Sequence, residues 1–227
     1  MSTSTVERMR ESSARRPLGT RSRAAGGLTH RAAAGLIAVG LLLSGCADEK
    51  QAAPEPEPTP ITDLDTVGMQ VPRIEFCALV PDAAVSEALD GEPDADSSYG
   101  NGDEEELPEI GTEVVHEIGC TWTAANGNAA RAWVFARPIS ATFAETVLDA
   151  GRKTRGCRTV AGPAFGRPSA TQLCRLPDGE RRVRHAGLFG QTWLTCELAA
   201  TGTEVPVLRT RTDRWCVEVA NTLDTAR

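Results

Sequence analysis

The chain has 227 residues, of which 41% are hydrophobic and 24% charged, and its formal net charge is −7. This length suits one domain with additional segments, or two small domains, and the apolar fraction is sufficient for a packed core. The charge argues against a nucleic acid partner, because a polyanion repels an acidic protein, and residues 46–227 alone carry a net charge of −12.

The first 45 residues have the layout of an export signal. Residues 1–31 contain seven arginines and two glutamates, and residues 32–45 form an apolar run without charge. A basic segment before a short apolar run is typical of a secretory signal peptide. A transmembrane anchor is the alternative, but it needs about 20 apolar residues. Only fourteen precede Cys46, so we assign residues 1–45 to a signal peptide.

The end of this run carries a more specific motif. Leu43, Ser44, Gly45 and Cys46 resemble the lipobox of bacterial lipoproteins, in which two small residues precede the cysteine. In that family a diacylglyceryl group is attached to the cysteine thiol, and a signal peptidase cuts before it. The resemblance implies a lipidated Cys46, with palmitate as an acyl group, and anchoring at the extracytoplasmic face of the cell membrane.

Residues 46–70 are predicted to be the lipidated cysteine and a tether. Residues 53–60 alternate proline with glutamate or threonine after the first alanine. Proline favours the extended polyproline II conformation, and repulsion between glutamates stiffens it. Residues 46–125 hold 20 acidic and two basic residues, whereas residues 126–227 hold nine acidic and 15 basic residues. We interpret most of the acidic excess as a solvated loop and tether.

Residues 71–227 are predicted to form one extracytoplasmic α+β domain. Stretches with helical spacing and stretches of alternating polarity occur without a long β-α-β alternation. We therefore expect an antiparallel sheet of about five strands, packed with about three helices and stapled by disulfides. In chain order the predicted elements are a helix at 81–90, strands at 114–122 and 130–136, a helix at 142–150, strands at 170–176, 181–189 and 192–198, and a helix at 206–222.

Two local signals in this domain carry specific predictions. Thr142 and Glu145 have the spacing of a capping box, which predicts a helix start. Residues 90–110 are predicted to be an acidic, solvated loop. Four of its residues match positions of a calcium-binding loop, but a tyrosine stands where that loop needs glycine. We therefore expect no metal here; the four matching residues are Asp94, Asp96, Ser98 and Glu105.

The six cysteines after Cys46 predict three disulfides. An even cysteine count in an exported domain is typical of disulfide bonding, and no Cys-x-x-Cys pair indicates a metal site. Six cysteines allow 15 pairings. Cys174 and Cys196 are poor partners because a third predicted strand separates their strands. We favour three pairs: Cys77 with Cys120, Cys157 with Cys174, and Cys196 with Cys216.

Several short motifs together resemble actinobacterial cell-envelope lipoproteins of unknown function. They are the lipobox, the acidic proline-rich tether, Cys-x-Leu-Val-Pro at 77–81, Cys-Thr-Trp at 120–122, Trp-Leu-Thr-Cys at 193–196 and Trp-Cys at 215–216. The resemblance covers about residues 36–227, and it implies a location and a disulfide-bonded α+β ectodomain rather than a reaction. A weaker likeness is to the extracellular sensor domains of some actinobacterial receptor kinases.

The sequence contains no familiar catalytic motif. Gly-x-Ser-x-Gly, His-Glu-x-x-His and the phosphate-binding loop are all absent. We therefore expect no catalytic site, no cofactor and no metal, and we interpret the protein as a binding or interaction module of the cell envelope. The alternative is an envelope-acting hydrolase with His116 or His185 as its base.

An anion-binding site is predicted on the hairpin near residues 170–189. Arg181, Arg182 and Arg184 crowd one predicted strand, and Arg175 lies on its neighbour. Because arginine binds phosphate and carboxylate groups with two parallel hydrogen bonds, these four suit an anionic envelope lipid or polymer. A solvated strand face that pairs with the acidic loop is the alternative. The expected partners are the membrane, through the diacylglyceryl group of Cys46, and an envelope lipid, polymer or protein ligand.

Overall fold

The structure is a computed structural model, and it describes residues 59–107, 111–176 and 179–226. The predicted signal peptide, Cys46 and the first part of the predicted tether lie outside these residues. No helix in the described part of the chain is both long enough and apolar enough to cross a membrane.

The described residues form an α+β fold with three α-helices and nine strands. The helices are α1 (Asp82–Leu89), α2 (Ala141–Arg152) and α3 (Val205–Thr225). The strands are β1 (Pro93–Tyr99), β2 (Glu104–Leu107), β3 (Gly111–Val114), β4 (Glu117–Ala124), β5 (Ala129–Phe135), β6 (Cys157–Val160), β7 (Ser169–Arg175), β8 (Arg181–Phe189) and β9 (Thr192–Ala200). The fold class and the three helices agree with the prediction, while the strand count exceeds the expected five or so.

Seven strands form one antiparallel sheet in the order β1-β4-β5-β9-β8-β7-β6, and β2 and β3 form a separate hairpin. The sequence did not predict either edge strand of the large sheet. β1 lies in the segment predicted as an acidic loop, and six of its seven residues are exposed. An edge strand is held by backbone hydrogen bonds to one neighbour, so its side chains need no apolar alternation.

Helix α3 covers one face of this sheet and forms the main core with it. Leu194 and Leu198 of β9 are buried in this core. The rings of Trp122 and Trp215 meet edge to face with their centroids 5.4 Å apart, and Trp215 Nε1 donates to the Arg131 carbonyl over 3.1 Å. An aromatic pair of this kind adds about 0.5–1.5 kcal/mol to the free energy of burial. These contacts hold the helix against the centre of the sheet.

The packed part of the domain extends N-terminally of residue 71. Ile61 and Met69 are buried in the main core. The backbone N–H of Gln70 donates to the Asp224 carboxylate of α3 over 2.8 Å. These residues belong to the stretch predicted as tether, so the last part of that stretch packs on the domain.

Three disulfides staple the fold, and they join the pairs that the sequence favoured. One ties the segment before α1 to β4, one joins facing residues of β6 and β7, and one ties β9 to α3. The three bonds close loops of 17 to 43 residues. In the chain-entropy account, each bond adds about 3–4 kcal/mol to the free energy of unfolding. The pairs are Cys77–Cys120, Cys157–Cys174 and Cys196–Cys216.

The strand predicted over residues 114–122 is interrupted. β3 ends at Val114 and β4 begins at Glu117. Between them, the backbone N–H and carbonyl of Val115 bond to Asp103 and Gly102 of the preceding turn, over 2.9 Å each. The apolar alternation therefore spans two strands that belong to different sheets.

The predicted capping box of α2 is wrong by two residues. The helix begins at Ala141, and the hydroxyl of Ser140 accepts a hydrogen bond from the Phe143 N–H over 3.1 Å. Thr142 already lies inside the first turn, so its side chain is not the cap. A serine directly before a helix satisfies one of the free N–H groups of the first turn in the usual way.

Candidate functional site

The face of the large sheet opposite α3, here called the open face, is only partly covered. Helix α2 packs Ala144 and Leu148 against Ala186, Leu188 and Trp193 at one part of this face. Strand residues that point away from α3 alternate with the core residues. Where α2 is absent, most of them are polar, charged or aromatic. One cavity lies at this part of the face, and a second lies between α2 and the sheet.

An apolar cavity of about 730 Å³ lies at one end of the open face. β1, the β2–β3 hairpin, the start of β4 and the segment between β5 and α2 enclose it. Ligand pockets typically measure roughly 300–1,000 Å³. Its apolar lining residues are Val114, Val115, Phe135, Pro138, Ile139 and Phe143. Its polar lining residues are Tyr99, Glu105, His116, Glu117, Arg137 and Ser140.

Tyr99 and Glu117 form a half-buried pair in the wall of the apolar cavity. The Tyr99 hydroxyl lies 3.5 Å from Glu117 Oε2, to which it donates. The ring of Tyr99 covers Gly119 so closely that a Cβ at this glycine would come within 2.3 Å of it. The glycine is therefore what admits the ring to this position.

Glu117 is poised to change charge near neutral pH. Burial raises the pKa of Glu117 from its ordinary value of 4.5 to about 7, against the lowering effects of the Tyr99 hydrogen bond and the Arg184 guanidinium. Burial, followed by the negative charge of Glu117, also raises the pKa of the Tyr99 hydroxyl. Below neutral pH, both members of the pair are therefore uncharged.

A second cavity of about 290 Å³, here called the adjacent cavity, lies between α2 and the sheet. Glu117 and Phe135 line both cavities, so the two adjoin along the open face. The adjacent cavity adds polar groups that the apolar cavity lacks: the side chains of Arg184, Gln172 and Thr195 line it.

Next to the adjacent cavity, three arginines surround one buried carboxylate. Arg131, Arg182 and Arg184, here called the arginine cluster, contact Glu197, whose side chain is 2% exposed. Burial by itself raises the pKa of Glu197, but the three guanidinium groups, with Arg184 first, outweigh this effect and hold its pKa below the ordinary value. The guanidinium of Arg184 also lies 5.2 Å from the centre of the Trp133 ring. Glu197 is thus ionised and holds the cluster together.

The four arginines predicted as an anion-binding site do not converge. Arg182 and Arg184 belong to the arginine cluster. Because side chains alternate along β8, Arg181 lies on the other face, where it donates to the Thr203 carbonyl over 2.8 Å. Arg175 is exposed and faces Arg181 across the β7–β8 ladder. The cluster therefore contains only two of the four predicted residues.

The sequence did not identify the other members of the site. Arg131 and Glu197 come from β5 and β9, and the strand register brings them opposite one another. The available signal was that Glu197 is a single acidic residue in the otherwise uncharged strand Thr192–Ala200. A charge in such a run requires charged or hydrogen-bonding partners when the strand is buried. Tyr99 and Glu117 carried no comparable signal.

The two histidines of the hydrolase alternative are placed differently. His116 is exposed, and its Nδ1 lies 3.4 Å from Asn101 Oδ1. His185 is fully buried on the α3 side, with Nδ1 2.9 Å from Thr171 Oγ1 and Nε2 2.7 Å from Asp213 Oδ1. Thr171 is also buried, at 3% exposure. These two residues and the partly exposed Asp213 join β7, β8 and α3, and they lie on the opposite face from the two cavities.

The pattern of a calcium-binding loop is spread over two strands. Asp94, Asp96 and Ser98 lie along β1, and Glu105 lies on β2. Within residues 59–107, 111–176 and 179–226, no three His, Cys, Asp or Glu side chains are grouped so that they could hold a metal ion. An extended strand spaces alternate residues too far apart to wrap one ion.

Comparisons with known proteins add little to this description. No protein-family profile matches the chain, and no curated protein matches it. Among solved structures, the chain is similar to the extracellular domain of PknH from Mycobacterium tuberculosis, with a TM-score of 0.45 and 12% sequence identity, over 70% of this chain and 100% of that one. A similarity of this size decides neither the fold nor the ligand of this protein.

Proposed function

We propose that the protein is a lipoprotein, anchored through Cys46 at the extracytoplasmic face of the cell membrane, that binds an apolar ligand without transforming it. The observation that carries the proposal is the apolar cavity of about 730 Å³ on the open face. Val114 and Phe143 line this cavity and remain 50% and 51% exposed. An apolar ligand that covered them would gain the free energy of removing that surface from water.

Two observations support the location. The residues Leu43-Ser44-Gly45-Cys46 follow a basic segment and an apolar run, as in a lipoprotein signal. The domain contains three disulfides, and disulfides persist in oxidising, extracytoplasmic compartments. The lipid anchor would keep the cavity close to the membrane and its lipids.

Ligand binding is tested on the full chain carrying Cys46→Ser, which lacks the thiol that would take the lipid. Native mass spectrometry after expression in an actinobacterial host should show an adduct that leaves on denaturation. After extraction of that adduct, the protein should bind the neutral, polarity-sensitive dye Nile red. A protein without adduct that also fails to bind the dye would contradict the proposal.

A matched pair of variants assigns the binding to the cavity. Val114→Trp introduces an indole into the lining, so it should weaken dye binding about tenfold or more by occupying the space. Val67→Trp makes the same change at a valine that is 72% exposed, and it should leave binding unchanged. Equal binding by both variants would place the dye elsewhere.

The anchor and the lack of a reaction are tested separately. Wild-type protein should partition into the detergent phase of a Triton X-114 extract, and its N-terminal peptide should begin at Cys46 and carry the mass of a diacylglyceryl group, which Cys46→Ser should lack. An aqueous wild-type protein would contradict lipidation. The extracted adduct should be recovered intact after prolonged incubation with fresh protein, whereas cleavage would support the hydrolase alternative.

A further inference from the structure

We propose that the ligand is an anionic amphiphile, whose hydrocarbon chain occupies the apolar cavity and whose carboxylate or phosphate binds Arg184 in the adjacent cavity. This inference rests on the proposed function and deepens it, because it names the chemical class of the ligand. The shared chemistry is one long acyl or alkyl chain with one anionic head.

The first step is the continuity of the two cavities. Phe135 and Glu117 line both, and they face each other across the β4–β5 ladder. A molecule that enters the apolar cavity therefore meets Arg184 next along the open face. Among apolar side chains, the adjacent cavity presents the guanidinium of Arg184, the amide of Gln172 and the hydroxyl of Thr195. Such groups beside an apolar cavity suit a molecule with one apolar and one polar end.

The second step is the sign of the charge at the polar end. The arginine cluster contributes three positive charges, while Glu197 and Glu180, which pairs with Arg182, contribute two negative charges. The arginine cluster together with these two glutamates therefore has a net charge of about +1, which favours an anion. A cationic head would have to approach three guanidinium groups, which opposes its binding.

The third step is the way in which Arg184 is held. Its Nε and Nη2 lie 2.7 and 2.6 Å from Glu197 Oε2, and its guanidinium stacks near the Trp133 ring. These contacts fix the orientation of the group before a ligand arrives, which reduces the entropy lost on binding. The side chain is still 22% exposed, and a guanidinium carries five N–H donors. Arg184 is thus a fixed donor that reaches the cavity.

Glu117 stands between the two ends of such a ligand, and it makes binding depend on pH. The groups that face it are Tyr99 from β1, Phe135 from β5 and Arg184 from β8. The side chains of Glu105, His116 and Arg137 line the same cavity. When Glu117 is protonated, it is neutral and does not repel the anionic head of the ligand. When it ionises, it repels the head and competes for Arg184. Affinity for an anionic amphiphile should therefore fall as pH rises from 6 to 8.

The test measures displacement of Nile red from the full chain carrying Cys46→Ser at pH 6. The probes are hexadecanoate, hexadecyl phosphate, hexadecanol and hexadecylamine, each below its aggregation concentration. At least one anion should bind about tenfold or more tightly than the alcohol, as a charge-assisted hydrogen bond provides. The tighter of the two anions distinguishes a fatty acid from a phosphate-bearing lipid, and either result supports the inference.

The other outcomes separate this inference from the proposed function. If the alcohol binds as tightly as both anions, or the amine binds most tightly, the anionic head is excluded while the apolar binding site stands. If none of the four probes displaces the dye and the dye itself does not bind, both proposals fail. If the dye binds but no probe displaces it, the proposed amphiphile is overturned.

A variant and its matched control locate the binding site of the anionic head. Arg184→Gln should raise the Kd of the preferred anion about tenfold and change the Kd of hexadecanol by less than about threefold. Arg158→Gln removes the same charge from an exposed position on β6 and should change neither. If Arg184→Gln does not fold, the comparison of anion with alcohol on the chain that carries Cys46→Ser alone still decides the inference.

Glu117→Gln should abolish the fall in anion affinity between pH 6 and pH 8. His116→Asn is the control, because it replaces the histidine that lines the same cavity, and this variant should keep the fall. A pH dependence that survives in Glu117→Gln and disappears in His116→Asn would overturn the role of Glu117.

Discussion

Arg184 and Glu197 lie on neighbouring strands and are joined by two short contacts, 2.7 and 2.6 Å from Nε and Nη2 to a single carboxylate oxygen. The other oxygen of Glu197 faces Arg131 at 3.2 Å and Arg182 at 3.5 Å. One buried carboxylate thus holds three guanidinium groups on the open face. Removing its charge would leave these groups to repel one another.

Glu197→Gln should therefore lower the free energy of unfolding by about 3 kcal/mol, the order expected when one partner of a buried ion pair is removed. Urea denaturation at pH 7 measures the change. Glu145→Gln, at an exposed position on α2, removes the same charge and should change stability by less than about 0.5 kcal/mol. Similar stabilities for the two variants would mean that Glu197 does not organise the cluster.

Glu117→Gln should change the pH dependence of stability in a predictable direction. Because the folded-state pKa of Glu117, about 7, lies above its ordinary value of 4.5, its contribution to stability is fully present below pH 4.5 and is lost as pH rises through 7. The shift corresponds to at most about 3 kcal/mol. Glutamine stays neutral, so the variant should gain stability relative to the wild type at pH 8 but not at pH 4.5.

Urea denaturation of both proteins at pH 4.5 and pH 8 measures this difference. Glu113→Gln, at an exposed position on β3, is the matched control and should track the wild type at both values. A stability difference between wild type and Glu117→Gln that does not change with pH would show that Glu117 titrates as an exposed glutamate.

Gly119 and Tyr99 should show energetic coupling. Gly119→Ala places a Cβ within 2.3 Å of the Tyr99 ring, so the ring must move, at a cost of about 1–3 kcal/mol. In a Tyr99→Ala background the same change meets no ring and should cost much less. A double-mutant cycle by urea denaturation should give a coupling of at least about 1 kcal/mol, whereas additive effects would contradict the close packing.

The disulfide between Cys196 and Cys216 should stabilise the domain by constraining its unfolded chain. The bond closes 20 residues, for which the chain-entropy account gives about 3 kcal/mol. Replacing both cysteines with alanine should lower the free energy of unfolding by that amount. Non-reducing peptide mapping of the variant should still recover Cys77–Cys120 and Cys157–Cys174, and scrambled pairs would show that the third bond directs the other two.

The sequence predicted the helices and the central strands because their signals are local. Helical spacing, alternation and turn residues act over a few neighbours, so α1, α2 and α3 and strands β5, β7, β8 and β9 lie close to their predicted positions. The edge strands β1 and β6 gave no such signal, since one neighbouring strand holds each of them through backbone hydrogen bonds. The predicted acidic loop therefore contains a strand of the large sheet.

The sequence by itself determined the fold class and an even set of cysteines, and the expected strand order argued against one cysteine pair without selecting among the remaining pairings. Only the tertiary structure decided which charges meet. Arg131, Glu197 and Arg184 face one another because β5, β9 and β8 are adjacent in register, although the chain separates the first two by 66 residues. The cavity walls likewise come from distant segments. Long-range register depends on the packing of the whole sheet, which no local pattern encodes.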